Sequence, residues 1–266
     1  MTLTYLAVCE SAARAAGAIL REMLGAVNVR YKQNQFDLVT EADISAQKEI
    51  ERILFGAFPD HRLVGEEGDL TQTSNVGKSE FKWIVDPLDG TTNFVHGMPL
   101  FCTSIALARN NELICGVIYN PMTEEFFSAE QNKGAWLNGK RISVSSCKTL
   151  SEGLISVGFP TIVEPDSLEI QMLLNTCPRC QAVRRTGSTA LNLAFLAAGR
   201  LDGCWALKCH AWDIAAGILL VKEAGGKITK PDGKIINLDE DPTPFCAAAN
   251  EELHNELKTV INIGKK

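Results

Sequence analysis

The sequence contains no apolar run near the roughly 20 residues that a membrane-spanning helix needs, and it has no internal repeat or low-complexity tract. Its net charge of −6 also means that it lacks the basic surface on which nucleic-acid and anionic-membrane binding depend. With 266 residues, of which 45% are hydrophobic and 22% charged, the composition is that of a folded protein with a sizeable core. Disordered and fibrous classes are excluded. An anionic small substrate is compatible with the charge, because bound metal ions can invert it locally.

The N-terminal segment lacks the basic region of a secretory signal, and Glu10 and Arg14 interrupt its apolar stretch. We therefore expect an amphipathic helix that belongs to the mature protein. The nine cysteines have no framework spacing, and several lie inside apolar runs, where a free thiol behaves as a small hydrophobe. These features predict a reducing, cytoplasmic setting.

Hydrophobic patterning divides the chain at about residue 145. Two helices, ending near Gly25 and Phe58, are predicted ahead of several β-rich segments separated by turn residues, which indicates a mainly antiparallel sheet over about 60–145. Beyond this point strands alternate with helices, which is typical of α/β packing. We predict an N-terminal α+β half (1–145) with most of the acidic candidates and a C-terminal α/β half (146–266).

Three acidic clusters lie where predicted elements end. Glu66 and Glu67 follow one strand, Asp86 and Asp89 follow another, and Asp213 opens a helix. Taken singly, each has a purely structural interpretation as a solvated turn, a turn signal or a helix cap. Strand ends and helix starts are nevertheless the places where α/β-type proteins build sites on rigid supports.

The second cluster is the most informative of the three. Pro87 interrupts strand pairing directly after Asp86, and a tight turn can then aim Asp86 and Asp89 at one point. Two like charges about 4 Å apart repel by ~1–4 kcal/mol at effective dielectric constants of 80 to 20, so such a pair needs cations. Oxygen ligands select hard ions such as Mg²⁺, and the amides of residues 90–92 can cradle a phosphate. The chemistry indicated is metal-assisted hydrolysis of a phosphate ester.

Four ordered segments resemble the inositol monophosphatase family. Residues 83–96 (WIVDPLDGTTNFVH) resemble the first signature of the family. Residues 212–217 (WDIAAG), followed by 223–226 (EAGG), resemble its second signature. Residues 65–67 (GEE) and 37–43 (DLVTEAD) resemble two further conserved elements of the family. The resemblance extends from about residue 4 to residue 260. It implies an α+β fold of alternating layers, an αβαβα sandwich with a largely antiparallel N-terminal sheet and a mixed C-terminal sheet, and a phosphoric monoester hydrolase that forms a homodimer.

The resemblance also implies roles for individual residues. Two or three Mg²⁺ ions would be held by the carboxylates and one backbone carbonyl of Glu66, Asp86, Leu88, Asp89 and Asp213. The attacking water would be oriented by Glu66, Thr91 and Asp43. The substrate would contact Asp89, Gly90, Thr91, Thr92, Gly187, Ser188, Thr189, Ala206 and Asp213. Thr40 and Asp43 also fit a capping box, and Ser188 also fits a helix N-cap, so these residues have structural interpretations as well.

One position departs from the family pattern. The family commonly has a glutamate that binds substrate hydroxyls on the strand before the Trp-Asp motif, and the corresponding residue here is Ala206. The resemblance therefore predicts Mg²⁺-dependent, lithium-sensitive hydrolysis of a small phosphate monoester by direct attack of water, inositol 1-phosphate being one candidate. Histidinol phosphate, fructose 1,6-bisphosphate and NADP are the alternative substrates, and no nucleic-acid or membrane partner is expected.

Two non-hydrolytic alternatives stay open at this stage. Cys177 and Cys180 form a C-x-x-C pair, which is a redox motif or half of a zinc site if Cys204, Cys209 and His210 lie nearby. A regulatory binding protein on the same fold is the other alternative, although such a protein would be expected to have lost a metal ligand.

Overall fold

The computed structural model describes residues 4–25, 29–31, 38–67 and 79–262. The α-helices within these residues are Tyr5–Met23 (α1), Glu41–Ala57 (α2), Thr91–Val95 (α3), Leu168–Thr176 (α4), Thr189–Ala197 (α5), Ala211–Glu223 (α6) and Glu251–Ile261 (α7). The strands are Val29–Tyr31 (β1), Leu38–Thr40 (β2), Arg62–Gly65 (β3), Phe81–Asp89 (β4), Cys102–Arg109 (β5), Glu112–Asn120 (β6), Glu125–Glu130 (β7), Gly134–Leu137 (β8), Lys140–Ile142 (β9), Leu154–Gly158 (β10), Ala182–Arg184 (β11), Gly203–Ala206 (β12), Lys227–Thr229 (β13) and Phe245–Ala248 (β14). Asp37 and residues 68–78 lie outside the described residues.

The strands form two large sheets and one small ribbon. The larger sheet has the order β3-β4-β5-β6-β7-β8-β9 and is antiparallel except for the parallel pair β3–β4. The second sheet has the order β11-β10-β12-β14-β13, in which β10 pairs in parallel with both β11 and β12, whereas β14 is antiparallel to its neighbours. The expected combination of a largely antiparallel sheet and a mixed sheet is confirmed.

The elements stack in five alternating layers, as an αβαβα sandwich. Trp83 and Val85 of β4 pack against α1 and α2, whereas Ile84 between them faces α5 and α6, because successive side chains on a strand point to opposite faces. The second sheet covers the other side of α5 and α6 through Cys204, and Trp205 faces α4 and α7 on the outside. The middle helical layer is therefore buried between the two sheets.

Two glycines allow helices to approach β6 closely from opposite faces. A Cβ atom at Gly17 of α1 would lie 2.6 Å from the Tyr119 ring, and a Cβ atom at Gly116 of β6 would lie 3.0 Å from Cα of Ala216 in α6. Neither gap admits a larger residue without movement of the backbone or the ring. These contacts fix the separation of the first three layers, and with it the position of the neighbouring strands β4 and β5.

Strand β4 differs from the sequence-based expectation that Pro87 ends its pairing. The strand continues to Asp89, with a register shift between Asp86 and Asp89, and Asp89 pairs with Cys102. Pro87 lacks only the N–H donor, and its carbonyl accepts a 3.0 Å hydrogen bond from the Thr103 hydroxyl. The strand therefore tolerates the proline by bulging instead of stopping.

None of the helices in the described part of the chain has the length and apolar character that crossing a bilayer requires. The boundary expected at residue 145 lies in the irregular segment between β9 and β10. The division into two halves stays a prediction.

Candidate active site

The four predicted carboxylates line one cavity of about 460 Å³. Glu66 directly follows β3, Asp86 and Asp89 lie on β4, and Asp213 lies in the first turn of α6. The parallel pairing of β3 with β4 brings the first three together, and α6 presents the fourth from the layer beneath the sheet. Four residues that are up to 147 positions apart in the sequence thus share a single pocket.

The bulge in β4 exposes a backbone acceptor beside these carboxylates. The Leu88 side chain is fully buried, yet Leu88 lines the pocket. Its N–H donates to Oδ1 of Asp86 at 3.0 Å, and its carbonyl accepts from the Thr91 hydroxyl at 3.2 Å. Leu88 therefore presents a carbonyl oxygen and no side-chain chemistry at the pocket, and its role as a metal ligand stays a prediction.

Burial and neighbouring carboxylates raise the pKa of Asp86 and of Asp213. Burial, and then the charges of Glu66, Asp89 and Asp213, hold the pKa of Asp86 well above its usual range. Burial and the charges of Asp89 and Glu66 do the same to the pKa of Asp213. A bound cation would relieve this repulsion, because an opposite charge favours the ionised form.

The donor set fits a magnesium ion that keeps open positions. Among the described residues, no three His, Cys, Asp or Glu side chains are placed so that they could hold a metal ion together. Mg²⁺ is usually bound by one or two carboxylates, with waters and substrate phosphate oxygens completing an octahedron. Oxygen donors around an open pocket are the arrangement that this coordination needs, whereas a structural zinc site needs four converging protein ligands.

Asp89 is held in place by the N-terminus of α5. Its Oδ2 atom accepts a 2.6 Å hydrogen bond from the Ser188 hydroxyl and a 2.7 Å bond from the Ala190 N–H. Ser188 is the N-cap of α5 and also accepts from the Leu191 N–H at 3.1 Å, which confirms its structural interpretation. Burial raises the pKa of Asp89 to about 6, while the bonds from Ser188 and Ala190 act to lower it.

Asp43 and Thr91 form a second group at the pocket. Oδ2 of Asp43 accepts from the Thr40 N–H at 2.7 Å and from the Thr40 hydroxyl at 2.6 Å, which confirms the predicted capping box. Its Oδ1 lies 3.4 Å from the Thr91 hydroxyl. Burial raises the pKa of Asp43 to about 6 despite the Thr40 bonds. The carboxylate thus caps α2 with one oxygen and faces Thr91 with the other.

The predicted substrate contacts are divided between this pocket and an adjoining cavity of about 590 Å³. Gly90, Thr91, Gly187 and Thr189 line the carboxylate pocket, whereas Thr92 and Ser188 line only the adjoining cavity. Gly90 has a φ of +95°, and a Cβ atom there would lie 2.9 Å from the Leu100 carbonyl oxygen, so this loop requires glycine.

Ala206 lines neither cavity and is buried among the side chains beneath the pocket. A Cβ atom on the neighbouring residue Gly158 would lie 2.8 Å from Cβ of Ala206 and 3.7 Å from Oγ1 of Thr189. Ala206 is therefore one residue behind the pocket wall that Thr189 forms.

Several residues of the pocket carry no motif signal. Phe159 and Lys208 follow β10 and β12, and His210, which precedes α6, stacks on Trp212 with ring centroids 4.5 Å apart. Nδ1 of His210 lies 2.7 Å from Oδ1 of Asp241, which also lines the pocket. The sequence signal that could have found Phe159 and Lys208 is their position just after a strand, because ligands bind outside the carboxyl ends of parallel strands.

The cysteine alternative finds no support in the geometry. Cys177 and Cys180 lie on and just after the short 3₁₀ turn at residues 177–179, whereas Cys204 and Cys209 are buried in the core between the sheets. The described residues contain no cluster of three metal-binding side chains that includes a cysteine.

Comparison with known proteins assigns the chain to a family. Residues 2–263 match the model of the inositol monophosphatase family. An inositol-1-monophosphatase of Rhizobium meliloti is 41% identical, covering 85% of this chain and 83% of that protein, and the Nus factor SuhB of Pseudomonas aeruginosa is 40% identical, covering 94% and 93%. The extragenic suppressor protein suhB of Bartonella henselae has a solved structure that is 37% identical over 97% of this chain and 98% of that one, with a TM-score of 0.89. This chain therefore belongs to the inositol monophosphatase family and is a phosphoric monoester hydrolase.

Proposed function

We propose that this protein hydrolyses a small phosphate monoester with Mg²⁺, by direct attack of water on phosphorus and without a phosphoenzyme. The observation that carries the proposal is that four carboxylates and Leu88 line one pocket, where neighbouring charges raise the pKa of Asp86 and of Asp213. Inositol 1-phosphate is the first candidate substrate, in line with the name of the Rhizobium meliloti relative.

The metal would be held by Glu66, Asp86, Asp89, Asp213 and the Leu88 carbonyl, in two or three sites. When bound, Mg²⁺ supplies a Lewis acid that stabilises the charge developing on the phosphate oxygens and lowers the pKa of water. The family is metal-dependent, and a structure with 22% identity and a TM-score of 0.83, an IMPase/NADP phosphatase complexed with Mg²⁺ and phosphate, has the same fold.

The chain's own groups orient the reaction. The Thr91 hydroxyl lies between the Leu88 carbonyl and Oδ1 of Asp43, and can accept a hydrogen bond from the attacking water while donating to Asp43. Glu66 borders the same pocket and assists in holding that water. Gly90 and Thr91 line the pocket with backbone that receives the phosphate. Phosphate monoester hydrolysis is very slow unaided, with accelerations up to ~10²¹, so this fixed placement of charge is the main source of catalysis.

We also infer the cellular location of the protein. All nine cysteines are unpaired, and even Cys9 and Cys115, whose sulfur atoms lie 3.7 Å apart, form no disulfide, which supports a cytoplasmic location. A homodimer stays a prediction.

The decisive experiment is a phosphatase screen with and without Mg²⁺. Inositol 1-phosphate, histidinol phosphate, fructose 1,6-bisphosphate, NADP and p-nitrophenyl phosphate would be compared in Mg²⁺ and in EDTA. We expect EDTA and Asp86→Asn each to lower turnover by more than a thousandfold, because both disrupt metal binding. Asp232→Asn is the matched control, since Asp232 is exposed and pairs with the nearby Lys234, away from the pocket. Turnover that survives EDTA and Asp86→Asn would overturn the proposal, and bound zinc in the purified protein would revive the cysteine alternative.

A further inference from the structure

Three neighbouring strands of the second sheet end at the same edge of the pocket. β10 pairs in parallel with β11 on one side and with β12 on the other. Arg185 directly follows β11, Phe159 directly follows β10, and Lys208 is the second residue after β12. Because parallel strands end at a common edge, the topology places one cation on each side of Phe159.

An aromatic stack fixes the first cation. The Arg185 guanidinium lies over the Phe159 ring, 5.3 Å from its centroid. The Phe159 ring in turn meets the buried Trp205 edge to face, with centroids 6.2 Å apart and planes at 79°. No ion pair joins Arg185 to another residue in the described part of the chain. Its planar fork of N–H donors, which suits carboxylate and phosphate oxygens, is thus held in place without an acidic partner.

The second cation has a partner that leaves its donors available. Nζ of Lys208 lies 3.7 Å from Oε1 of Glu169, which is too long for a hydrogen bond. The Lys208 side chain is 60% exposed, whereas that of Glu169 is 4% exposed. Glu169 therefore lies near enough to attract Lys208 but does not occupy its N–H groups with a hydrogen bond.

Both cations border the space where the alcohol portion of a substrate would lie. Lys208 lines the carboxylate pocket together with Phe159 and Thr161, and Arg185 lines the adjoining cavity together with the same two residues. The other acidic residue of the pocket outside the proposed metal ligands, Asp241, bonds His210. Lys208 and Arg185 are thus the lysine and arginine side chains that line these two cavities.

We propose that Lys208 and Arg185 form a second anion-recognition subsite, which selects phosphate monoesters whose alcohol portion carries a further carboxylate or phosphate. This inference rests on the proposed phosphatase function and specifies its substrate class. Arg185 binds the second anion with its fork against the Phe159 face, and Lys208 adds a point charge from the other side. Inositol 1-phosphate has a neutral polyol portion and lacks the group that these cations recognise, so the subsite ranks the anionic candidate substrates above it.

Matched substrate pairs test the subsite. 2-Phosphoglycerate and glycerol 2-phosphate differ by a carboxylate in place of a hydroxymethyl group, and fructose 1,6-bisphosphate and fructose 6-phosphate differ by a phosphate in place of a hydroxyl. We expect kcat/KM to favour the anionic member of at least one pair by tenfold or more at low ionic strength. The pair that shows the preference tells whether a carboxylate or a phosphate is recognised, and the preference should fall as salt screens the charges.

Variants then assign the preference to these residues. Lys208→Gln and Arg185→Gln should each lower the anionic-to-neutral ratio of kcat/KM by about tenfold, the equivalent of ~1.4 kcal/mol. Lys133→Gln is the control, because Lys133 is 65% exposed and pairs with a carboxylate, Glu130, as Lys208 does, but lies on the turn after β7. Thermal melting of each variant checks that the fold is retained.

The possible outcomes distinguish a failure of the anion subsite from a failure of the proposed phosphatase function. Mg²⁺-dependent hydrolysis of p-nitrophenyl phosphate without any preference in either pair would overturn the subsite and leave the proposed function standing. A preference that survives both substitutions, or an equal fall for both members of a pair, would also overturn it. No Mg²⁺-dependent hydrolysis of any ester would refute the proposed function, and the subsite with it.

Discussion

Replacing Asp43 by Asn should separate the two functions of this carboxylate. Asn can present its oxygen to the Thr40 N–H and hydroxyl, so the capping box of α2 can persist. Its amide nitrogen then faces the Thr91 hydroxyl and can only donate to it, so Thr91 can no longer donate to residue 43. We expect turnover to fall by roughly 10²- to 10⁴-fold, the usual contribution of a group that handles a proton in the transition state.

The stability of the same variant can be worked out from the pKa. The unfolded chain ionises Asp43 near 3.8, whereas burial raises its folded pKa to about 6. The metal-free fold therefore loses stability as the pH rises from 3.8 through 6, by about 3 kcal/mol in total. Asn is uncharged and avoids this loss, and the Thr40 bonds that favour the ionised form are already included in the folded pKa. We therefore expect Asp43→Asn to be at least as stable as the metal-free wild type at pH 7.5, by up to about 3 kcal/mol.

Asp43→Ala supplies the contrast. It leaves the buried Thr40 N–H and hydroxyl without their acceptor and should destabilise the fold by about 2–4 kcal/mol. The assays are kcat in saturating Mg²⁺ and urea unfolding in EDTA at pH 4 and pH 7.5. An Asn variant with wild-type kcat would show that Asp43 is only a helix cap. An Asn variant as unstable as the Ala variant would refute the energetic argument.

Three further predictions concern other parts of the site. Lithium, an ion close to Mg²⁺ in size with half the charge, should inhibit more strongly as substrate approaches saturation, and a purely competitive pattern in steady-state kinetics would contradict this. Ser188→Ala should destabilise the protein by about 1–2 kcal/mol, because Ser188 caps α5. It should also raise the Mg²⁺ concentration for half-maximal activity, because the Ser188 hydroxyl donates a 2.6 Å hydrogen bond to Asp89. An unchanged Mg²⁺ titration would count against the second effect. Ala206→Glu should destabilise the fold by several kcal/mol (roughly 2–5), because residue 206 is buried in the core and lines neither cavity; a variant that melts like wild type and gains kcat/KM for inositol 1-phosphate would contradict this.

Local sequence signals were enough to predict the caps and to place Asp86, Asp89 and Asp213 in short motifs at strand ends and helix starts. The assembly of these carboxylates in one pocket, and the bonds that hold Asp89, depend on residues far along the chain. The Thr40–Asp43 box needs no such contact, because its members are three residues apart. Such features depend on local chemistry, so the sequence carries them directly.

Other features depend on contacts that no local pattern encodes. The continuation of β4 to Asp89 needs pairing with Cys102, because Pro87 alone would predict an end. The grouping of Arg185, Phe159 and Lys208 depends on the order β11-β10-β12, which is set by packing between the layers. The buried position of Ala206 likewise follows from which face of β12 meets α5 and α6. Patterning predicted that these strands exist, but not which strand lies beside which.

The anchoring of Asp89 by α5 has a consequence for the order of assembly. Asp89 lies on the larger sheet, whereas the groups that bond its carboxylate lie 99 to 101 residues further along the chain. Contacts at this separation form only after the entropy of closing a long loop has been overcome, so we expect them to form late in folding. In a nascent or partly folded chain, the hydrolytic carboxylates are therefore not yet in their final positions. During refolding, regained turnover should report the docking of the two sheets through α5, and not the formation of either sheet alone.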